Sequence, residues 1–124
     1  NILQHGVILE KATLTFNGIG HIIKGAKGAD AQQESRVLML SDQARSDANP
    51  ILLIDENDVT AGHAASIGQV DPEDMYYLMS RGLDQATAER LVVRGFLGSV
   101  IVEIPVKEVR EEMIQTIEDK LLKR

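Results

Sequence analysis

The chain has 124 residues, 44% of them hydrophobic and 26% charged, with a net charge of −6 and no cysteine. That length suits roughly one domain with a buried core, and the balance excludes a disordered or fibrous class. The acidic charge argues against nucleic-acid or anionic-membrane binding, and the missing thiols exclude disulfides, thiolate metal sites and cysteine nucleophiles.

Residues 2–9, ILQHGVIL, are a short apolar run broken at Gly6. In the following KATLTF, Ala12, Leu14 and Phe16 alternate with polar residues, the period of a half-buried strand. Asn17-Gly18 reads as a turn into a second strand, IGHIIKGA, either as a hairpin or as a tight corner. Residues 25–36, GAKGADAQQESR, read as a solvated turn or strand edge. Gly18-Ile19-Gly20 lacks the third glycine of a dinucleotide fingerprint, and Gly25-Ala26-Lys27-Gly28 lacks the Ser or Thr of a phosphate loop. VLMLS (37–41) and ILLID (51–55) are candidate buried strands, separated by the expected loop DQARSDANP. An acidic turn, Asp55-Glu56-Asn57-Asp58, precedes the small-residue strand VTAGHAASIG.

At Asp71-Pro72 the apolar period changes from strand-like to helical. Asp71 is an N-cap candidate, Pro72 suits the first helical position, and Glu73 and Asp74 complement the positive end of the helix dipole. Met75, Tyr76, Leu78 and Met79 are this helix's apolar residues, and Gly82 fits the position after its last turn. A second helix is predicted from Asp84, with Ala88, Leu91, Val92, Gly95 and Phe96 on one face and Gly95 admitting a neighbouring backbone. SVIVEI (99–104) has strand-like β-branching but is read as helix. Pro105 opens a third helix with the stripe Val106, Val109, Met113, Ile117 and Leu121, and Lys120, Lys123 and Arg124 complement its C-terminal end. The chain thus divides into a strand part, 1–70, and a helical part, 71–124.

His63, flanked by Gly62 and Ala64-Ala65, is the sharpest chemical candidate, because imidazole is a common metal ligand and an acid or base near neutral pH. From the residues alone, a packed and hydrogen-bonded histidine is the default. Asp55, Glu56 and Asp58 fail the calcium-loop pattern, since Val59 and Thr60 stand where a ligand and a glycine belong. His5 and His21 read as surface or edge residues. No G-x-S-x-G elbow is present. With aromatics limited to Phe16, Tyr76, Tyr77 and Phe96, stacking platforms for sugars or bases are lacking. No run approaches the ~20 apolar residues of a membrane span. Because the chain starts at Asn1 directly in strand-like residues, it is expected to be a piece of a longer polypeptide.

The stretch RVLMLSDQARSDANPILLIDENDVTAGHAASIGQVDPEDMYYLMSRGL, with Gly95-Phe96 beyond it, resembles the C-terminal region of the SufB/SufD family of SUF iron–sulfur cluster assembly scaffolds. Within that family it is most similar to the SufD members, and the resemblance runs from about Phe16 to the last helix. LSDQA, DVTAGHAASIG and YYLMSRGL carry it most specifically. The resemblance implies a right-handed parallel β-helix fragment followed by helices; the alternative is an α+β fold with an antiparallel sheet. It further implies a non-catalytic, cytoplasmic scaffold that pairs with a SufB-like subunit and docks a SufC-like ATPase. It places His63 where a nascent cluster forms in the assembled complex, as a metal ligand only there, with no cofactor in the isolated chain. Val92, Phe96, Met113 and Ile117 are candidate ATPase-docking residues at helical spacing. An exposed strand edge would also favour pairing of two copies into a homodimer. The alternative functions are an interaction subunit of another transporter-like ATPase complex and a β-helix carbohydrate-active enzyme.

Overall fold

A computed structural model describes residues 1–122, so the expected helix-end charges of Lys123 and Arg124 lie outside the described residues. The chain forms two compact units, Asn1–Gln69 and Val70–Arg124. The first holds five strands: β1 (Ile2–Ile8), β2 (Thr13–Ile22), β3 (Asp30–Met39), β4 (Arg45–Ile54) and β5 (Thr60–Gln69). The second holds three helices: α1 (Pro72–Ser80), α2 (Gln85–Ile101) and α3 (Lys107–Leu122).

Alternate strands pair. The order β1-β3-β5 makes one sheet and β2-β4 another, and every pairing is parallel. Both fold expectations are therefore corrected. The antiparallel alternative fails because no strand pairs with its sequence neighbour. The right-handed parallel β-helix is not formed either: the strands make two separate open sheets of three and two strands, and nearly as much of the chain is helix, a mixed α/β architecture. Two-residue periodicity reports only which face of a strand is buried. It is silent on pairing direction and on how sheets are joined.

The two sheets face each other across a small core. Ile8, Val37 and Ala44 are buried in it, with Leu14, Phe16 and Met39 packed around them. The inward set on β3 is Gln33, Ser35 and Val37, alternating with less buried residues as the pleat requires.

Several connections expected from sequence turn out to be strand. Asn17-Gly18 is not a turn but lies inside β2, where Asn17 is in register with Asn49 and Gly18 with Pro50. The Asn49 Nδ2 donates to Asn17 Oδ1 at 3.0 Å, so a polar pair formed across the sheet replaces the local turn. Two thirds of the expected loop DQARSDANP, from Arg45 to Pro50, is β4, which tolerates Pro50 because it is an edge strand with one unpaired side. Likewise β3 begins at Asp30 within the expected polar segment, leaving only residues 23–29 as a turn. There Gly25 (φ 96°) and Gly28 (φ 74°) occupy the left-handed region. The Gly28 N–H donates to the Asp58 carbonyl at 2.7 Å, tying this turn to the acidic one.

The helices obey their local signals. Asp71 caps α1 by accepting from the Glu73 N–H at 2.8 Å, with Pro72 at the first position. Gly82, at φ 93°, donates its N–H to the Met79 carbonyl at 3.0 Å and ends the helix. Asp84 caps α2 through the Thr87 N–H at 2.7 Å. SVIVEI continues α2 as far as Ile101 and then turns. Val93 and Ile101 are buried on α2 together with Ala88, whereas Leu91 is exposed. Gly95 has nothing within 4 Å of the place a Cβ would occupy, so it admits no neighbouring backbone, contrary to expectation.

Candidate functional site

His63 lies on β5, the last strand of the three-stranded sheet, and is exposed. β5 pairs with β3 alone, so the backbone groups on its other side are a free strand edge. The neighbours of His63 along the strand are small, which leaves the imidazole approachable from outside. In the parallel register it stands opposite Gln33, and directly paired residues share a face of the sheet. Gln33 is itself only 2% exposed.

Among the described residues, no group of three or more His, Cys, Asp or Glu is placed to hold a metal ion. The acidic turn is engaged otherwise. Glu56 accepts from the Gly25 N–H at 2.9 Å and from the Asn57 N–H at 3.0 Å, and these two bonds hold its carboxyl below the usual carboxylate range. Asp55 Oδ2 lies 2.7 Å from His21 Nε2, an exposed pair at one end of β2 and β4. These carboxylates brace turns. Among the described residues His63 thus stands as a single exposed imidazole, with no further metal-ligating group gathered around it.

His5 departs from the surface reading. Its side chain is only 3% exposed, with Nε2 3.1 Å from Glu34 Oε1 on the adjacent strand. Its place in an unbroken strand beside β3, which sequence alone does not reveal, explains the difference. Gln33 is the other residue that sequence reasoning passed over. Placed inside a polar, glycine-containing stretch, it read as solvated, and only the alternation Gln33, Ser35, Val37 marks it as inward.

In the helical unit, Met113 and Ile117 come together along a groove on α3, completed by Val109, Glu112, Thr116 and Lys120. Ile117 also lines a cleft of about 170 Å³ between α2 and α3, with Leu97, Ile101 and Ile114 as its apolar wall. The Arg94 Nε–Glu118 Oε1 ion pair, at 2.9 Å, joins the two helices at that cleft. Val92 and Phe96 are half-buried on α2 and line neither hollow. Of the four docking candidates, Met113 and Ile117 thus share a groove, while Val92 and Phe96 lie on the other helix of the pair. Exposed apolar residues are nevertheless plentiful: Met113, Ile114 and Val109 on α3, and Tyr76 (76% exposed), Tyr77 and Met79 on α1. The Arg81 guanidinium sits 5.2 Å from the centre of the Tyr77 ring, a cation–π contact that orients this face.

Comparison with known proteins places these features in context. Residues 1–96 match the family model described as SUF system FeS cluster assembly, SufBD core domain. The chain is 60% identical over 120 residues to the iron-sulfur cluster assembly protein SufD of Bacillus subtilis, covering 97% of this chain and 28% of that protein. It is 46% identical over 97 residues to an iron-sulfur cluster assembly SufBD family protein of Mycobacterium bovis, covering 77% of this chain and 24% of the relative. A second such protein of the same organism is 35% identical over 107 residues, covering 86% of this chain and 13% of the relative. The chain therefore spans about a quarter or less of the length of these relatives.

Proposed function

The chain belongs to the SufBD core family of SUF-system iron–sulfur cluster assembly proteins, and from that membership we propose that it acts as a SufD-type scaffold without catalysis of its own. The identity to a SufD protein across almost the whole chain is the observation that carries this reading. In it, the strand unit presents His63 to a SufB-like subunit, and the cluster is cargo passing through the complex. The exposed imidazole on a free strand edge supports that role, because a partner strand approaching β5 would find both backbone hydrogen-bonding groups and a metal ligand.

The helical unit docks a SufC-like ATPase. Support comes from the exposed apolar residues of α3, whose positions 109, 113 and 117 recur at the spacing by which a helix is recognised in a groove. The phosphate-binding motifs are absent from the sequence, so nucleotide would be held by the ATPase. Among the described residues no helix is long and apolar enough to cross a membrane, and the proposed place of work is the cytoplasm.

The test is reconstitution with the SufB-like and SufC-like partners. His63→Ala is expected to lower cluster yield several-fold while complex composition stays unchanged. Met113→Glu is expected to weaken ATPase binding on the order of tenfold, equivalent to about 1.4 kcal/mol. Undiminished cluster yield in a correctly assembled His63→Ala complex removes His63 from the role. Full ATPase affinity in Met113→Glu removes α3 as the docking face.

A further inference from the structure

The interior between the two sheets is not uniformly apolar. At the end away from Ile8, Val37 and Ala44, the inward positions of β1 and β3 are Gln4, Gln33 and Ser35. The Ser35 hydroxyl donates to Gln4 Oε1 at 2.8 Å, so those two groups serve each other. Gln33 is different: it is 2% exposed, and neither its Oε1 nor its Nε2 has a hydrogen-bonding partner among the described residues. Buried amides are nearly always paired, and an unmet one in an apolar interior is costly.

Opposite Gln33, β2 carries two glycines at inward positions. A Cβ at Gly18 would overlap Gln33 Nε2, so the missing side chain there is what admits the carboxamide. At Gly20 a Cβ would meet Leu52 Cδ2 at 3.0 Å, with Gln33 Oε1 and Ile2 Cδ1 at 3.9 Å. Two glycines in a strand interior sacrifice packing, which a core needing only to be filled would supply with an aliphatic side chain. The Gln33 carboxamide fills the space a side chain at Gly18 would take, and its Oε1 borders the space beside Gly20.

We propose that Gln33 binds a water molecule between the two sheets, held by donation to Oε1 and acceptance from Nε2. Water is the smallest molecule with both capacities, and buried waters characteristically serve polar groups left without protein partners. Anything larger is excluded on the Gly18 side, where the carboxamide already fills the space. Register places this hydrated layer beside His63 on the next strand, yet the inference does not depend on what His63 does.

Two measurements decide it. High-resolution crystal structures of the wild-type chain and of Gln33→Met should show a solvent peak within hydrogen-bonding distance of both carboxamide atoms, lost in the near-isosteric variant. In solution, the Gln33 side-chain amide protons of the wild-type chain should give a direct nuclear Overhauser effect with a long-lived water. This second measurement needs no variant, and so stands if Gln33→Met fails to fold. A carboxamide found dry, or bonded directly to Gln4 Oε1, overturns the proposal, as does the absence of any effect to water.

Discussion

Asp84 shows how one carboxylate ties stability to pH. Its side chain accepts from the Thr87 N–H at the first turn of α2, and its bonds to the Thr87 side chain and backbone hold its pKa below the usual value. A folded-state value below the unfolded one means that the stabilisation is complete above the ordinary carboxylate pKa, near about 4. It is then lost as pH falls through the depressed value. Thermal unfolding of Asp84→Ala against wild type should therefore show a difference that is constant near neutrality and shrinks on acidification. A difference independent of pH down to strong acid would show that the carboxylate charge has no part in the cap. His63, exposed on an edge strand and among small residues, is open to approach from solvent.

At the level of elements, β2 runs as an unbroken strand through a sequence that locally signals a turn. The Asn17–Asn49 pair holds the register with β4, and Gly18 lets Gln33 fill the space between the sheets. Replacing Gly18 by leucine overfills that space and is expected to cost about 1–3 kcal/mol. Part of the loss should return in Gly18→Leu/Gln33→Ala, because residues in contact couple rather than add. Denaturant unfolding of the two singles and the double measures the coupling, and strict additivity would refute the contact. In α1 the determinants are local. Cap, Pro72 and Gly82 all lie within the helix or a turn of it, and none waits on a distant strand.

For the whole molecule, the proposed scaffold role has a consequence for cluster binding that can be measured. The strand unit has an exposed imidazole at His63 and no cysteine, and among the described residues no group of three or more His, Cys, Asp or Glu is placed to hold a metal ion. A cluster normally takes four ligands, and His63 supplies at most one. Chemical reconstitution of the isolated chain with iron and sulfide should thus leave no stable cluster absorbance after desalting, whereas the complex with its partners should retain it. A chain that kept a stoichiometric cluster alone would contradict the scaffold reading. The helical unit, in turn, leaves exposed apolar side chains on α1 and α3, more than a short helical segment buries within itself.

What could be read from the sequence alone was set by interactions within a few residues. The cap at Asp71, the start of α2 near Asp84, the glycine after α1 and the continuation of α2 into SVI all depend on backbone groups one turn away. The family, too, was legible, because the resemblance rests on the contiguous stretches LSDQA, DVTAGHAASIG and YYLMSRGL, and the family match bears it out. Tertiary structure alone decided the parallel pairing of alternate strands, and with it the absence of both the antiparallel sheet and the β-helix that were expected. It also decided the burial of His5 and Gln33, the strand conformation of Asn17-Gly18, and the open surroundings of Gly95. The reason is distance along the chain: Asn17 finds its partner 32 residues away and His5 finds Glu34 29 away. Local turn propensity, worth little against a paired and packed strand, yields to contacts that no short window of sequence contains.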